Sequence, residues 1–234
     1  KNFLKLFTFF SYFPKIIEGP ISRYSNLKEE IFNEKKFDYE NFKSAWVLIG
    51  YGFMKKLIIA DRLGIFVDNV FKNNYVGIPV ALAVIMYTIQ IYCDFSGCID
   101  IVSGVSELFN IKLPNNFKRP FFSQSIQEFW RRWHITLGEW LKDYIFYPIS
   151  LSKINMKLNL KVRKIKFKHL SKFIIIAFPL FFVWFFNGLW HGASIKYILY
   201  GLYYYLLMML GVLLKPVLDK IVILLKVNTN LSSF

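Results

Sequence analysis

The chain has 234 residues, of which 55% are hydrophobic and 20% aromatic, and its 30 Lys and Arg against 15 Asp and Glu give a formal net charge of +15. Disordered and fibrous classes are excluded, because they need a low apolar content or a compositional repeat. A basic nucleic-acid-binding domain could carry this charge, but 26 Phe, 14 Tyr and 6 Trp are too many for one soluble core. The composition indicates a membrane protein with basic loops and no nucleic-acid partner.

Apolar runs at both ends of the chain are shorter than the about 20 residues that a membrane-spanning helix needs. They are Phe3 to Phe13 and Val217 to Val227, and the second is interrupted by Asp219 and Lys220. We interpret them as parts of longer helices, so that residues 1–234 form one membrane domain truncated at both ends.

The first half of the chain predicts a capped helix followed by apolar segments. Asp38 precedes apolar residues at helical spacing and is expected to cap that helix. The apolar stretch Ala45 to Phe71 contains charges, so it either forms two shorter helices or turns its charges towards the protein interior. Ile78 to Tyr92 is uncharged and predicts a transmembrane helix, with a polar exit segment from Asp94 onwards.

The segment from Ile126 to Ile145 predicts one amphipathic helix, because its apolar residues recur at three- and four-residue steps. A basic loop, residues 152–172, follows with eight Lys or Arg. Such a loop between apolar segments predicts the cytoplasmic side of the bacterial inner membrane.

Two apolar segments follow the basic loop. Phe173 to Trp190 predicts a crossing that ends near His191, unless Pro179 and Gly188 fold the chain back. Ile198 to Leu214 predicts the return, which is expected to end at Lys215-Pro216.

Histidine is the residue type that the sequence singles out for chemistry. His169 lies among lysines and is expected to be solvated, whereas His134 and His191 both follow a tryptophan in apolar surroundings. An imidazole in such a site tends to stay neutral, which is the form that a general base needs. Trp-flanked histidines also act as interfacial anchors, so the pattern alone leaves both roles open.

The absence of several known catalytic motifs limits the reactions that the protein could catalyse. The sequence lacks the Gly-x-Ser-x-Gly elbow of serine hydrolases, the glycine-rich phosphate loop, and the His-Glu-x-x-His signature of zinc enzymes. Cys93 and Cys98 are too few for a disulfide framework and are expected to be buried free thiols. We predict direct group transfer without a metal or a bound cofactor, in which a neutral histidine deprotonates an attacking hydroxyl.

Five motifs in order along nearly the whole chain resemble the membrane-bound O-acyltransferase (MBOAT) family: Phe13–Arg23, Gly52–Asp61, Ile91–Gly97, Glu128–His134 with Asp143–Pro148, and Gly188–Ala193. The branch that O-acetylates alginate is the closest in motif, and the branch that transfers D-alanyl groups to teichoic acid is more distant. The resemblance implies an all-α, multi-pass protein with re-entrant and interfacial helices around a central tunnel. It also implies an acyl donor from the cytoplasm and an acceptor from outside.

The resemblance also implies roles for individual residues within these motifs. His191 matches the family's catalytic histidine in Leu-Trp-His-Gly, and we assign it as the general base. His134 matches the second histidine, in Arg-Trp-His, and we assign it to donor-side or transition-state support. Arg131 and Arg132 could bind phosphates of a coenzyme A or phosphopantetheine donor, although paired arginines on an amphipathic helix more often meet lipid headgroups.

Two further residues are weaker candidates for substrate binding. Asn187 could offer its amide to a developing oxyanion if the helix continues that far. Asp94 could orient a histidine, but an ion pair with a lysine is the simpler expectation. The chain departs from the family pattern at Tyr204-Tyr205, where relatives often carry His-Gly, and at Cys98, where tyrosine is common.

The resulting hypothesis is an O-acyltransferase that moves an acetyl group from an acetyl-CoA or acyl-carrier-protein thioester to an extracytoplasmic polysaccharide. A transporter that relays protons through histidines is an alternative, but no internal repeat supports it. Transfer of D-alanyl or another acyl group to a cell-envelope polymer is a second alternative. A third is a catalytically inactive scaffold that recruits an extracytoplasmic esterase-like partner; such an accessory protein is also a possible partner of the enzyme.

Overall fold

The computed structural model describes residues 2–162, 164 and 168–224 of the chain. Within those ranges the regular secondary structure is helical and no β-strand is formed, which confirms the predicted all-α class. The chain divides into two compact units, Lys1–Lys118 and Arg119–Phe234.

Between residues 2 and 118 the first unit forms five α-helices. They are α1 (Phe3–Phe10), α2 (Tyr24–Phe32), α3 (Tyr39–Phe53), α4 (Asp61–Lys72) and α5 (Ile78–Leu108). Asp38 caps α3 as predicted, because its Oδ1 accepts hydrogen bonds from the backbone N–H groups of Glu40, at 3.0 Å, and Asn41, at 3.3 Å.

The polar exit segment predicted after Tyr92 is part of a longer helix. Helix α5 begins after Gly77, whose φ of 76° is open to glycine, and it runs without a break through Asp94 for 31 residues. It is one of three described helices that are long and apolar enough to cross a membrane.

Two lysines between Ala45 and Phe71 are paired with acidic residues. Helices α3 and α4 are joined by a π-helical segment, Met54–Ala60, which carries Lys55 and Lys56. Lys55 contacts Asp100 at 2.5 Å, and Lys56 contacts Asp94 at 2.6 Å and Asp61 at 3.0 Å. Both explanations offered by the sequence therefore contribute, because the stretch is two helices and their lysines face acidic residues of α5 and α4.

Close backbone approach holds α3 against α5. A Cβ atom built on Gly52 would lie 2.6 Å from the carbonyl oxygen of Gly97, and one built on Gly97 would lie 2.8 Å from the carbonyl oxygen of Gly52. The two helices can meet at this distance only because neither residue has a side chain.

We expect Gly52→Ala to destabilise the protein by about 1–3 kcal/mol, since the clash is with backbone and cannot be relieved by a rotamer change. Gly50→Ala is the matched control, because it lies on the same helix and its added Cβ meets nothing within 4 Å. Thermal unfolding of both variants in detergent should show a lower midpoint for Gly52→Ala alone. Equal midpoints would contradict the close approach.

Six α-helices lie in the described residues of the second unit. They are α6 (Ile126–Arg132), α7 (Ile135–Leu141), α8 (Tyr147–Ser150), α9 (Lys153–Val162), α10 (Lys168–His191) and α11 (Ile195–Leu224). Lys168–His191 and Ile195–Ile221 are the other two segments of sufficient length and hydropathy to cross a membrane. The chain therefore has the helices expected of an integral membrane protein.

The prediction of a single amphipathic helix from Ile126 to Ile145 is wrong. Helix α6 ends at Arg132, and α7 begins at Ile135, because His134 adopts left-handed backbone angles (φ 46°, ψ 51°) that no α-helix accommodates. A π-helical segment, Lys142–Phe146, then follows α7. Periodicity predicted the apolar face correctly but gave no sign of the break.

Residues 152–172 are largely helical where they are described, since they contain α9 and the start of α10. Arg163 and residues 165–167, which carry part of the predicted basic charge, lie outside the described residues. The expected end of the last helix at Lys215-Pro216 is also wrong, because α11 continues through Pro216 to Leu224. A proline inside a helix removes one backbone hydrogen bond. A long apolar helix tolerates this loss when neighbouring groups satisfy the freed carbonyl.

Helices α10 and α11 pack as a hairpin through two glycines. A Cβ on Gly201 would lie 2.2 Å from the carbonyl oxygen of Trp184, and a Cβ on Gly188 would lie 2.4 Å from that of Tyr197. Pro179 and Gly188 do not fold the chain back, because α10 continues without a break through both to His191. This hairpin fixes where His191 stands.

Candidate active site

A cavity of about 480 Å³ lies inside the second unit, among residues of α6, α7, α10 and α11. Most of its exposed wall area is apolar, although seven of its seventeen lining residues are polar or charged, and such a mixture is usual in a small-molecule site. His134 and His191 both line it. Thus the two histidines singled out by the sequence share one cavity.

His134 is positioned by the break between α6 and α7. Helix α6 starts at Ser125, whose Oγ accepts from the backbone N–H of Glu128 at 3.1 Å, and it closes where Trp133 N–H donates to Phe129. The His134 carbonyl then accepts the first hydrogen bonds of α7, from Leu137 and Gly138. A non-glycine residue with positive φ is uncommon and costs energy, so the surrounding structure holds His134 in this conformation.

Burial and a neighbouring charge determine the protonation of His134. Desolvation, with a smaller contribution from the positive charge of His191, lowers the pKa of His134 to about 4. At neutral pH its imidazole is therefore uncharged, so it can donate a hydrogen bond from one nitrogen and accept at the other.

His191 is the last residue of α10, and it is exposed at one side as well as lining the cavity. Two rings of α11 contact it. The Tyr197 ring lies at 6.4 Å between centroids and is nearly parallel (28°), and the Tyr200 ring lies at 5.6 Å and is nearly perpendicular (79°). A substrate hydroxyl can reach this imidazole from the open side.

Asn187 lines the same cavity one helical turn before His191. It is only 7% exposed, and among the described residues its Oδ1 has no hydrogen-bond partner. A buried polar atom left without a partner costs about 1–3 kcal/mol. The helix continues as far as the sequence expectation required, so the Asn187 side chain lies on the cavity wall, where its Oδ1 can accept a hydrogen bond from a bound molecule.

The remaining predicted residues divide between the two units. Arg131 lines the cavity and is exposed, whereas Arg132 is paired with Glu128 at 2.5 Å on its own helix. Asp94 belongs to the first unit, where it forms the ion pair with Lys56 described above. A role for Arg132 or Asp94 in substrate binding stays a prediction.

Sequence reasoning missed two tryptophans of the cavity wall. Trp130 and Trp184 line it, and in the described part of the chain neither indole N–H has a hydrogen-bond acceptor. Their rings meet edge to face at 4.9 Å. Helical spacing could have indicated Trp184, which precedes His191 by seven residues on α10, but not Trp130, because the helix breaks between Trp130 and His134.

The lowered pKa of His134 predicts an acid-dependent loss of stability. An unfolded histidine titrates at about 6.5, so between about pH 6.5 and 4 the unfolded state binds a proton that the folded state does not. Stability is therefore complete above this range and falls as the pH decreases through it. We expect His134→Gln to lose less of its thermal unfolding midpoint between about pH 7 and 5 than the parent protein. Equal losses would contradict a neutral, buried His134.

These features define an all-α membrane protein with two histidines on one mostly apolar cavity. Residues 1–161 match the model of MBOAT, the membrane-bound O-acyltransferase family, and the chain belongs to this family. The match includes His134 and ends before His191. It confirms the family that the five motifs indicated.

Curated relatives cover most of the chain. It is 34% identical over 203 residues to "Probable alginate O-acetylase AlgI" of Pseudomonas fluorescens, which is 86% of the chain and 37% of the relative. It is also 34% identical over 206 residues to the peptidoglycan O-acetyltransferase of Helicobacter pylori, covering 86% and 36%. With the teichoic acid D-alanyltransferase of Bacillus subtilis it shares 32% identity over 210 residues, covering 87% and 50%. The chain therefore spans about a third to a half of the length of these relatives.

Proposed function

We propose that this protein is a membrane O-acyltransferase that moves an acyl group, acetyl in the first instance, from a thioester donor to a hydroxyl group of a cell-envelope polysaccharide. One observation carries the proposal: His134 and His191 line a single cavity in a helical membrane unit. The names of two relatives, an alginate O-acetylase and a peptidoglycan O-acetyltransferase, support acetyl as the proposed acyl group and a cell-envelope polysaccharide as the proposed acceptor.

The reaction needs one proton transfer and one bond exchange. The acceptor hydroxyl oxygen attacks the thioester carbonyl carbon while His191 takes the hydroxyl proton. The resulting tetrahedral intermediate collapses, the carbon–sulfur bond breaks, and the proton passes from His191 to the departing thiolate. The products are an ester and a free thiol, and general-base help of this kind contributes about 10²- to 10⁴-fold.

Polar groups of the cavity would stabilise the negative charge that develops on the carbonyl oxygen in the transition state. The N–H groups of neutral His134 and of the Asn187 amide are the proposed donors, in keeping with the positions of both residues on the cavity wall. In an apolar cavity such donors are worth more than in water. Holding the donor and the acceptor together there would contribute several kcal/mol more.

The donor is proposed to approach from the cytoplasm and the polysaccharide from outside, across the bacterial inner membrane. Lysines of α9 and of the start of α10 support a cytoplasmic position for this segment under the positive-inside rule: Lys153, Lys157, Lys161, Lys168 and Lys172. Arg131, exposed at the cavity, could meet a phosphate of a coenzyme A or phosphopantetheine donor. An extracytoplasmic esterase-like protein is a proposed partner.

Mass spectrometry of surface glycans from cells with and without the gene tests the proposal. We expect acyl esters that depend on the gene, with an added mass that distinguishes acetyl from D-alanyl. Unchanged esters together with a loss of proton-coupled solute uptake would overturn the proposal in favour of a transporter. Esters that persist when both His134 and His191 are replaced would favour a scaffold for another enzyme.

A further inference from the structure

Three tyrosines form one stripe on α11. Tyr197, Tyr200 and Tyr204 are spaced by three and four residues, so they lie on the same face of the helix. The first two contact the His191 ring, and the Tyr200 ring also meets Tyr204 edge to face at 5.0 Å. The stripe therefore begins at the proposed general base and leads away from it.

Tyr197 can reach His191 only because a glycine, Gly192, follows the last residue of α10. A Cβ atom built on Gly192 would lie 2.6 Å from Cε2 and 2.7 Å from Cδ2 of the Tyr197 ring. The ring thus lies directly on the backbone that follows His191. Gly188 makes room in the same way for the Tyr197 backbone, whose carbonyl oxygen would be 2.4 Å from an added Cβ.

The other end of the stripe contacts the segment that carries His134. Tyr204 packs edge to face on Trp130 at 4.8 Å and is nearly parallel to Trp184 at 5.6 Å. Trp130 lies on α6, four residues before His134. A continuous series of ring contacts therefore runs from His191 through Tyr200 and Tyr204 to α6.

We propose that Tyr197 and Tyr200 are positioning residues that fix the plane of the His191 imidazole in the acyl-transfer cavity. The nearly parallel Tyr197 ring limits tilting of the imidazole, and the perpendicular Tyr200 ring limits its rotation about the Cβ–Cγ bond. The Tyr197 ring supplies its restraint through the ring contact and not through its hydroxyl group. The proposal rests on the general-base role of His191.

A general base is effective only when its nitrogen is held within hydrogen-bond reach of the proton that it removes. A displacement of about 1 Å can lower the rate about 10²-fold without weakening substrate binding. Loss of the Tyr197 ring should therefore lower kcat and leave the KM for the thioester donor unchanged. A ring without the hydroxyl should restore the rate.

The test compares four variants of the complete protein in native membranes. Tyr197→Leu removes the ring and Tyr197→Phe keeps it, while Gly192→Ala inserts a Cβ against the ring and also strains the backbone at Gly192, whose φ is 149°. The matched control is Tyr203→Leu, since Tyr203 is also exposed on α11 and its ring contact is with its neighbour Tyr204. The measurement is kcat and KM for a labelled acyl thioester, normalised to the amount of folded protein.

We expect Tyr197→Leu and Gly192→Ala to lower kcat about 10- to 100-fold at unchanged KM, and Tyr197→Phe and Tyr203→Leu to stay within about twofold of the parent. The proposal is overturned if Tyr197→Leu keeps the parental kcat, or if Tyr197→Phe loses as much as Tyr197→Leu. Should Tyr197→Leu fail to fold, Tyr197→Met, which also lacks the ring, takes its place under the same criteria. Full acyl-transfer activity in His191→Ala would instead contradict the proposed general-base role of His191, whatever the results for the tyrosine variants.

Discussion

Replacing His191 with alanine should lower the rate of acyl transfer about 10²- to 10⁴-fold, the range expected when a general base is lost. The imidazole stands at the end of α10, on the cavity wall and open on one side, where an attacking hydroxyl can reach it. The substitution leaves unchanged the close contacts between α10 and α11 at Gly188 and Gly201. The variant should therefore insert and fold normally while it loses activity.

His169→Ala is the control for this experiment, because His169 is exposed near the start of α10, far along the helix from His191. Initial rates of labelled acyl transfer should be unchanged in that variant. Parental activity in His191→Ala, at equal protein in the membrane, would contradict the assignment of His191 as general base.

Replacing both His134 and His191 should lower the rate little more than replacing His191 alone. Residues that act as a unit show strongly non-additive losses, and these two line one cavity. We expect His134→Ala alone to cost about 10²-fold, by loss of a hydrogen-bond donor to the developing oxyanion. The double variant should then stay within about threefold of His191→Ala.

A full double-mutant cycle measures this coupling. Its four proteins are the parent, the two single variants and the double variant, assayed for initial rates at equal amounts in the membrane. A double variant whose loss equals the product of the two single losses would contradict joint action in one cavity. It would show that the two histidines contribute independently to the rate.

Local signals in the sequence predicted much of the fold. Asp38 caps α3 because a carboxylate before an apolar-periodic run satisfies free backbone N–H groups, and this rule depends on a few adjacent residues. The uncharged segments likewise predicted the crossings at α5 and α10. The end of α11 was missed because a proline at residue 216 is a local stop signal that the rest of the long helix overrides.

The break at His134 could not be predicted for a different reason. Periodicity reports which residues face the core, and it continues unchanged across the interruption between α6 and α7. A left-handed histidine is stabilised by contacts from elements distant in sequence, and no local pattern encodes these.

The candidate site was predicted in its chemistry but not in its assembly. A neutral imidazole beside tryptophan was expected at His134 and at His191, and Asn187 was expected one turn before His191. Their meeting at one cavity depends on how α10 packs against α6, α7 and α11, which spacing along the chain does not reveal. The Tyr197 contact was hidden for the same reason, because it needs the missing Cβ atom of Gly192.

Direct transfer from thioester to hydroxyl, without a covalent acyl-enzyme, is the central chemical claim, and the intact mass of the protein tests it most directly. The protein in membranes is incubated with an isotopically labelled acyl thioester, first without and then with a polysaccharide acceptor. We predict an unchanged protein mass before the acceptor is added, followed by label in the polysaccharide. An acyl adduct on the protein that disappears when the acceptor is added would contradict the proposed mechanism.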